Sequence, residues 1–533
     1  MDLNLTAIPQ RLFGPNTAQP GYLAARWLFL RSLGLIFFSA FYSLVFQIRG
    51  LIGPQGILPA QSYLVEVARV LGARRFWFAP TVFWWSASDR ALLTVCVAGM
   101  LASILLALNI CPRGMLVVCL VAFLSFISTA QDFASYQSDG MLLEAGFISL
   151  FFAPAGWRPR WGDTDPPSRA SRFLLVWLMF RIYFESGIAK ILGHDTEWRD
   201  FTAMDQYYQN GPLPTWIAWY AQHLPHWFHA ATAFLTLALE LVLIFAVFLP
   251  RRTRIVLFFL ITPWQIGIIL TSNYAFLNYI VLVLGFLLLD DKFLARLLPS
   301  GPHHTAAVAS SLDVSPAQSS PTVHWKAGFR LWTQAFFLSW VLYDTSVLLL
   351  SMLTQQVPLP TLPVRVLEPF RFANDFHLFA GMTRGRYEIE LQGSRDGQTW
   401  TAYPFRYKPQ DLNAPPRIYA PYQPRFDWNL WFASLGSWRE YTFVLQVEQR
   451  LLANEPDVLS LFARNPFPGQ PPQQIRAVLW QYWFTDWKEK REQGLWWRRR
   501  QMGLYAPALE RAPDGKIIIT EWPGSPQEPS PDP

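Results

Sequence analysis

Three ionisable residues fall within ten positions of one another at the end of an apolar stretch. The run "SRFLLVWLMF" is followed directly by "RIYFESGIAKILG", which carries Arg181, Glu185 and Lys190. Successive residues of a helix are about 100° apart, so Arg181 and Glu185 share a face and can form an ion pair. Lys190 points to nearly the opposite side, close to the direction of Tyr183 and Ser186. The spacing therefore predicts a pair and a separate lysine.

Each part of this group has a structural and a chemical interpretation. Arg181 and Glu185 can be a structural ion pair that holds one membrane helix against its neighbours, because charge at membrane depth is unfavourable unless it is paired. Lys190 can snorkel, with its stem in lipid and its ammonium in water. It can also be a catalytic base, since a desolvated lysine can lose its proton near neutral pH. Tyr183, Glu185 and Asp205 are then the groups that assist it.

The composition is typical of an integral membrane protein. Of 533 residues, 52% are apolar and 15% are charged, whereas a soluble domain is about 25% charged. The formal net charge is +7 without a nucleic-acid-binding motif, so membrane lipids and exported proteins are the expected partners and nucleic acid is not. All three cysteines fall in apolar segments, which argues against a disulfide framework and against thiol exchange. We expect no metal and no cofactor.

The predicted fold class is a multi-pass α-helical membrane bundle followed by a β-rich extracytoplasmic domain. About nine stretches approach the ~20 apolar residues that a membrane-spanning helix needs. Arginines and lysines concentrate in alternate loops, which places those loops in the cytoplasm and the C-terminal region outside. One loop, 49–88, carries four arginines and disagrees with this orientation. The predicted spans are 22–48, 89–111, 113–130, 138–154, 170–191, 227–250, 254–271, 274–290 and 329–353.

Composition also divides the chain into parts. Residues 386–407 alternate apolar and polar positions around an "SRDG" turn, as half-buried strands do. Residues 441–454 predict a helix, and 475–487 predict another strand. The predicted parts are a membrane domain (1–297) that includes an aromatic segment on its outer face (192–226), a disordered cytoplasmic linker (298–328), the last span (329–356), a β-rich soluble domain (357–520) and a disordered tail (521–533).

Two further features of the membrane domain are a series of histidines and an isolated carboxylate. His223, His226 and His229 recur at a spacing that zinc ligands can have, but this series drifts around a helix and a proline interrupts it. We therefore predict no zinc site. Glu240 is a carboxylate inside an apolar stretch, and its partner is either Arg254 or a group on another helix.

The stretch from Tyr183 to His229 resembles the signature of the lipase maturation factor family, and the likeness continues in 378–400, 420–436, 465–486 and 494–505. Members of that family are multi-pass membrane proteins, and the animal ones act in the endoplasmic reticulum, where they help secreted dimeric lipases reach their active fold. The resemblance implies a chaperone-like maturation role for exported clients. The expected location is a bacterial inner membrane, or the endoplasmic reticulum membrane in a eukaryote.

Client binding would need exposed anchors in the soluble domain. Tryptophan and arginine dominate the energetics of protein interfaces, and both types are frequent there. The expected anchors are Trp428, Trp431, Trp496, Trp497, Arg498 and Arg499.

A shorter likeness, limited to "YFESGIAKI" and the "EW" after it, is to the vitamin K-dependent γ-glutamyl carboxylases and HTTM membrane proteins. In the carboxylases the lysine at the place of Lys190 is the proposed catalytic base. This implies an alternative function, a membrane-embedded enzyme that acts on a lipid-soluble substrate. A transporter is disfavoured because no internal repeat is evident. Exposure of Lys190 would indicate an anchor, and enclosure with Tyr183 and a carboxylate would indicate a reactive group.

Overall fold

The computed structural model describes residues 7–15, 21–134, 136–296, 321–354, 357 and 359–524. Most of the predicted linker, residues 298–320, lies outside these ranges, as does the predicted tail from 525 onward. The last membrane helix begins at Pro321, within the stretch that was expected to be linker.

Each of the nine stretches predicted to span the membrane contains a helix within the described residues. The helices are α1 (Leu23–Val45), α2 (Asp89–Ala107), α3 (Pro112–Ile127), α4 (Gln137–Phe152), α5 (Arg169–Leu192), α6 (His226–Leu241), α7 (Arg251–Thr271), α8 (Leu277–Gly285) and α9 (Pro321–Leu353).

Five of the described helices are long and apolar enough to cross a bilayer: α1, α2, α6 with the turn that follows it, α7 and α9. The helices α3 and α8 are apolar but shorter, and α5 carries the ionisable residues of the signature. The helical membrane region is thus confirmed, with five candidate spans. The total of nine crossings and the outward position of the C-terminal region stay predictions.

Helix α4 is enclosed by the rest of the protein. Its side chains from Ser138 to Ser149 are buried, the polar Asp139 and Glu144 included. Close approach of α1 and α2 depends on small residues, since a Cβ atom at Gly34 would lie 2.9 Å from the carbonyl oxygen of Ser103. The polar side chains of α4 are thus buried within the protein.

Short helices occupy the loops at both ends of the bundle. The aromatic segment folds as three of them, Thr196–Arg199, Met204–Asn210 and Trp216–Gln222. The others in the membrane region are Ala7–Phe13, Ile48–Ile52, Ala60–Leu71, Arg75–Phe78 and Asp291–Leu294.

The C-terminal region forms a six-stranded antiparallel sheet, which confirms a β-sheet domain. The strands follow the order β2-β1-β3-β5-β6, and β4 pairs with the other end of β3. The strands predicted on either side of the SRDG turn are present as β1 and the short β2, and the strand predicted at 475–487 is present as β3. The strands are β1 (Arg386–Ser394), β2 (Thr401–Ala402), β3 (Gln474–Phe484), β4 (Trp497–Leu504), β5 (Ala508–Arg511) and β6 (Ile517–Glu521).

Helices accompany the sheet, so the domain mixes both kinds of structure. Phe443–Leu452 lies within the predicted helix 441–454 and packs on β3. Arg425–Ser434 packs on β1. The remaining helices of this region are Leu362–Leu367, Pro456–Leu459 and Trp487–Gln493.

Candidate functional site

Arg181 is the centre of a buried ion network. Its guanidinium contacts Glu144 on α4 and lies 3.6 Å from Glu185, one turn along α5. The Nη1 group donates to the carbonyl oxygen of Asn374 at 2.6 Å, and the backbone N–H of Asn374 donates to Glu144 at 3.1 Å. All four residues are buried. The anticipated Arg181–Glu185 contact is therefore present within a larger network, which joins two helices to the chain beyond the last span.

Sequence reasoning missed Glu144 and Asn374. Glu144 belongs to the polar interruption 128–146 of an otherwise apolar region, and such interruptions occur at membrane depth only where they face protein or water. That signal could have identified the carboxylate. Asn374 had no comparable signal, because its role depends on where the chain returns to the bundle.

Residues 374–382, here termed the connecting segment, lie along the polar face of α5 between the last helix and the sheet domain. The N–H of Phe376 donates to Glu185 at 2.9 Å, and the N–H of Leu378 donates to Ser186 Oγ at 3.3 Å. The indole of Trp198 donates to the carbonyl of Phe379 at 3.0 Å. Polar groups of α5 and of the short helix that follows it thus bond the backbone of a segment that lacks regular secondary structure, as buried backbone groups require.

Lys190 is enclosed at the end of this face and is only 1% exposed. Its ammonium donates to both carboxylate oxygens of Glu240 on α6, at 2.8 and 3.1 Å. It also donates to the carbonyl oxygens of Leu378 at 2.9 Å and Ser186 at 3.3 Å. The snorkelling interpretation does not fit this position, because the ammonium reaches protein acceptors instead of water. The unknown partner of Glu240 is Lys190.

A cavity of about 470 Å³ lies beside this pair, between α5, α6, α7 and α8. Tyr183 lines it, and its hydroxyl accepts a hydrogen bond from Gln265 at 2.7 Å. Gln265 in turn accepts one from Asn278 at 2.7 Å. Most of the wall is apolar, and the exposed Leu260 shows that the cavity reaches the lipid-facing side of α7. Further apolar lining residues are Ile182, Met204, Phe228, Ile268 and Phe379.

The structure separates the four residues that sequence reasoning grouped as catalytic. Lys190 and Tyr183 line the same cavity. Glu185 bonds within the Arg181 network, and Asp205 lies 3.0 Å from both His226 and His229. The carboxylate that accepts hydrogen bonds from Lys190 is that of Glu240. Among the described residues, no three His, Cys, Asp or Glu side chains are grouped in a way that could hold a metal ion.

Three of the anticipated client anchors are buried inside the protein. Trp428, Trp431 and Trp497 are 5%, 7% and 1% exposed. Trp428 stacks on Tyr136 with ring centroids 4.9 Å apart, and Trp497 packs on Phe484 at 4.5 Å. These side chains stabilise the fold and are not available to a client in this conformation.

The other three anticipated anchors are partly exposed but engaged. Trp496 has the ammonium of Lys490 2.8 Å from its ring centroid, a cation–π contact. Arg498 lies 3.5 Å from Glu489. Arg499 donates to Glu390 at 2.9 Å and to the hydroxyl of Tyr482 at 3.2 Å.

An exposed apolar strand was not anticipated. The strand β6 is the last of the sheet order and bonds only β5 within the described residues. Its side chains project into solvent, with Ile517, Ile518 and Ile519 41–46% exposed. Trp522, just after the strand, is 60% exposed. The run "KIIITEW" was the available signal, since β-branched residues favour strands.

Two buried arginines fasten the sheet domain to the bundle. Arg386 donates to the carbonyl oxygens of Gln209 at 3.1 Å and Pro212 at 3.0 Å, both in the aromatic segment. Arg425 forms a bidentate pair with Asp139, at the start of α4, with both bonds 2.8 Å long. Paired, hydrogen-bonded arginines of this kind fix geometry as well as adding energy.

A helical bundle with spans long enough to cross a bilayer, joined at one end to a sheet domain, defines an integral membrane protein with a substantial extramembrane domain. Comparison with known families is consistent with this architecture. The family model of the lipase maturation factor transmembrane domain matches residues 24–296, and that of the lipase maturation factor C-terminal domain matches residues 372–507. The chain belongs to the lipase maturation factor family, which confirms the resemblance seen in the signature.

Individual relatives span nearly the whole chain. Lipase maturation factor 1 of Bos taurus is 32% identical over 520 residues, which cover 93% of this chain and 91% of that protein. Lipase maturation factor 2 of Homo sapiens is 32% identical over 591 residues, covering 91% and 82%. No solved structure matches the chain.

Proposed function

We propose that this protein assists the folding or maturation of exported proteins, lipases among them, at the membrane face that carries the sheet domain. Relatives over most of the chain are named lipase maturation factors. The observation that carries the proposal is β6, an edge strand with three exposed isoleucines. An unpaired edge is a template for another strand, and added strands are a common mode of peptide recognition.

The chemistry of an incompletely folded client fits this edge. Such a chain is extended, exposes apolar side chains and has free backbone donors and acceptors. A segment that pairs with β6 must have these three properties. The anchored sheet domain would hold the segment close to the membrane, since Arg386 and Arg425 tie the domain to the bundle. The expected compartment is outside the cytoplasm, in a bacterial inner membrane or its endoplasmic reticulum counterpart.

The test is the yield of active secreted lipase from cells that are depleted of this protein and complemented with variants. Ile518→Lys places a charge on the edge strand, which discourages strand addition. Ile418→Lys is the matched control, because Ile418 is equally exposed at 45% but lies outside the sheet. We expect Ile518→Lys to lower the lipase yield at normal membrane levels and Ile418→Lys to leave it unchanged. A full yield with Ile518→Lys would refute the role of β6.

The alternative, an enzyme with Lys190 as base, is favoured by one observation: Lys190 and Tyr183 share a cavity that reaches lipid. The bonding of the lysine argues against it, because an ammonium has three donors and Glu240, Leu378 and Ser186 accept them. A base would have to release a proton that is held among these acceptors. Normal lipase yield from Lys190→Arg, which keeps the charge, would exclude this alternative.

A further inference from the structure

We infer that a groove at the end of the bundle opposite the sheet domain binds the phosphate of an anionic membrane phospholipid. The groove has a volume of about 590 Å³ and lies between the start of α1, the start of α5 and the middle of α9. Tyr22, Arg169 and Arg172 form its polar side. It is distinct from the Lys190 cavity, since the two occupy opposite ends of α5.

Two guanidinium groups lie near the ring of Tyr22, and that of Arg172 lines the groove. The Cζ atom of Arg172 lies 3.9 Å from the ring centroid of Tyr22, and that of Arg254 lies 5.9 Å from the same centroid. The Nη1 atom of Arg172 and the Nε atom of Arg254 are buried without a hydrogen-bond partner among the described residues. Buried polar atoms are normally bonded, so one donor on each of these two guanidinium groups is left for an acceptor from outside.

The carboxylates at this end of the bundle are already occupied. Asp290 pairs with Arg251, and Asp165 accepts from Arg113 at 2.8 Å. Asp291 accepts the first N–H groups of α1 at 2.9 Å. These carboxylates are thus engaged with other groups, although Asp290 also acts on Arg254 electrostatically, and an external anion would complete the site at Arg172. Arginine suits phosphate, because its planar donors match two phosphate oxygens.

The opposite side of the groove is apolar and extends outward. Phe173 is 41% exposed and Leu342 is 36% exposed, and both line the groove beside the arginines. A ligand that fills the groove therefore has a negative head and an apolar tail. Basic pockets between membrane helices bind anionic lipid headgroups in this way. The geometry matches a phospholipid whose phosphate lies at Arg172 and whose acyl chain lies along Phe173 and Leu342.

The experiment is native mass spectrometry of the full-length protein in mild detergent with equal amounts of phosphatidylglycerol and phosphatidylcholine. We expect the wild type to retain phosphatidylglycerol preferentially. Arg172→Gln should lower this retention by roughly tenfold, because a hydrogen bond to a charged group is lost. Arg158→Gln is the matched control, since Arg158 is exposed in the preceding loop and does not line the groove. Equal losses in the two variants would overturn the site.

A second variant separates lipid from free phosphate and protects against misfolding of the first. Leu342→Trp fills the apolar side and keeps the arginines, so it should lower phosphatidylglycerol retention without changing displacement by inorganic phosphate. If inorganic phosphate alone protects the protein against thermal unfolding and Leu342→Trp has no effect on lipid retention, the site binds a free anion and the lipid proposal is refuted.

Discussion

The ammonium of Lys190 and the carboxylate of Glu240 lie 2.8 Å apart inside the helical bundle, and the same ammonium holds the carbonyl oxygen of Leu378. One lysine thereby joins α5, α6 and the connecting segment. Arg181 performs the same kind of bridge nearer the middle of α5, between Glu144 and Asn374. The ionisable residues of the signature therefore link the membrane bundle to the chain that leads into the sheet domain.

Removing one partner of the buried Lys190–Glu240 pair should destabilise the protein strongly. Lys190→Met leaves a largely buried carboxylate without its partner, a change that costs about 3–5 kcal/mol in fully buried pairs. The double variant Lys190→Met with Glu240→Leu should recover most of this loss, since neither charge remains. Thermal unfolding of the detergent-solubilised protein measures both effects.

The matched control for that cycle is an exposed pair. Arg69 and Glu66 bond each other on the surface helix Ala60–Leu71, with side chains 73% and 57% exposed. Arg69→Met should leave the unfolding temperature unchanged, because exposed pairs are solvated and screened. Equal losses from Lys190→Met and the double variant would contradict the pairing as the source of the effect.

Asn374→Ala should loosen the connecting segment. The side-chain amide donates to Glu144 at 3.2 Å and to the carbonyl of Gly140 at 3.1 Å, and loss of buried partners costs about 1–3 kcal/mol. Hydrogen exchange of residues 374–382 should accelerate while exchange of the sheet strands stays the same. Asn413→Ala, at an exposed loop position of the same domain, should change neither. Unaltered exchange in Asn374→Ala would show that the segment is held by other contacts.

The polar chain in the Lys190 cavity should contribute stability of its own. Gln265→Leu leaves the hydroxyl of Tyr183 and the amide of Asn278 without the bonds they make at 2.7 Å. Hydrogen bonds between membrane helices are worth about 0.6–2 kcal/mol, so a lower unfolding temperature is expected. Ile266→Ala removes a neighbouring side chain that is 44% exposed on the same helix and should have a smaller effect. An equal or larger effect of Ile266→Ala would contradict the prediction.

Glu448 should make the sheet domain less stable as the pH rises. Burial of this carboxyl raises its pKa well above the ordinary range, so the folded state keeps a proton that the unfolded chain releases. Stability from this group is fully present below the unfolded pKa of about 4.3 and declines at higher pH, by at most about 1.4 kcal/mol per pH unit. Glu448→Gln should flatten this slope and be more stable than wild type at about pH 8.

Denaturant unfolding between about pH 5 and pH 8 measures the slope. Glu492→Gln is the control, because Glu492 is exposed on a surface helix and its replacement should preserve the wild-type slope. A slope that persists in Glu448→Gln would assign the pH dependence to another group.

Local patterns in the sequence determined the class of protein and much of its secondary structure. Apolar length located the membrane helices, and two-residue alternation located β1. The four-residue spacing of Arg181 and Glu185 anticipated their contact, because a helix fixes the geometry of residues one turn apart. The motifs of the signature identified the family, which the comparisons confirmed.

Tertiary structure alone decided which distant groups meet. Glu240 is 50 positions from Lys190, and Asn374 is 193 from Arg181; no periodicity connects such residues, since their proximity depends on how helices pack. The burial of Trp428, Trp431 and Trp497 was likewise decided by the tertiary structure. Tryptophan is suited to a protein interface as well as to a core. Their burial follows from the helix and sheet that cover them, which is a property of the folded chain and not of any local stretch.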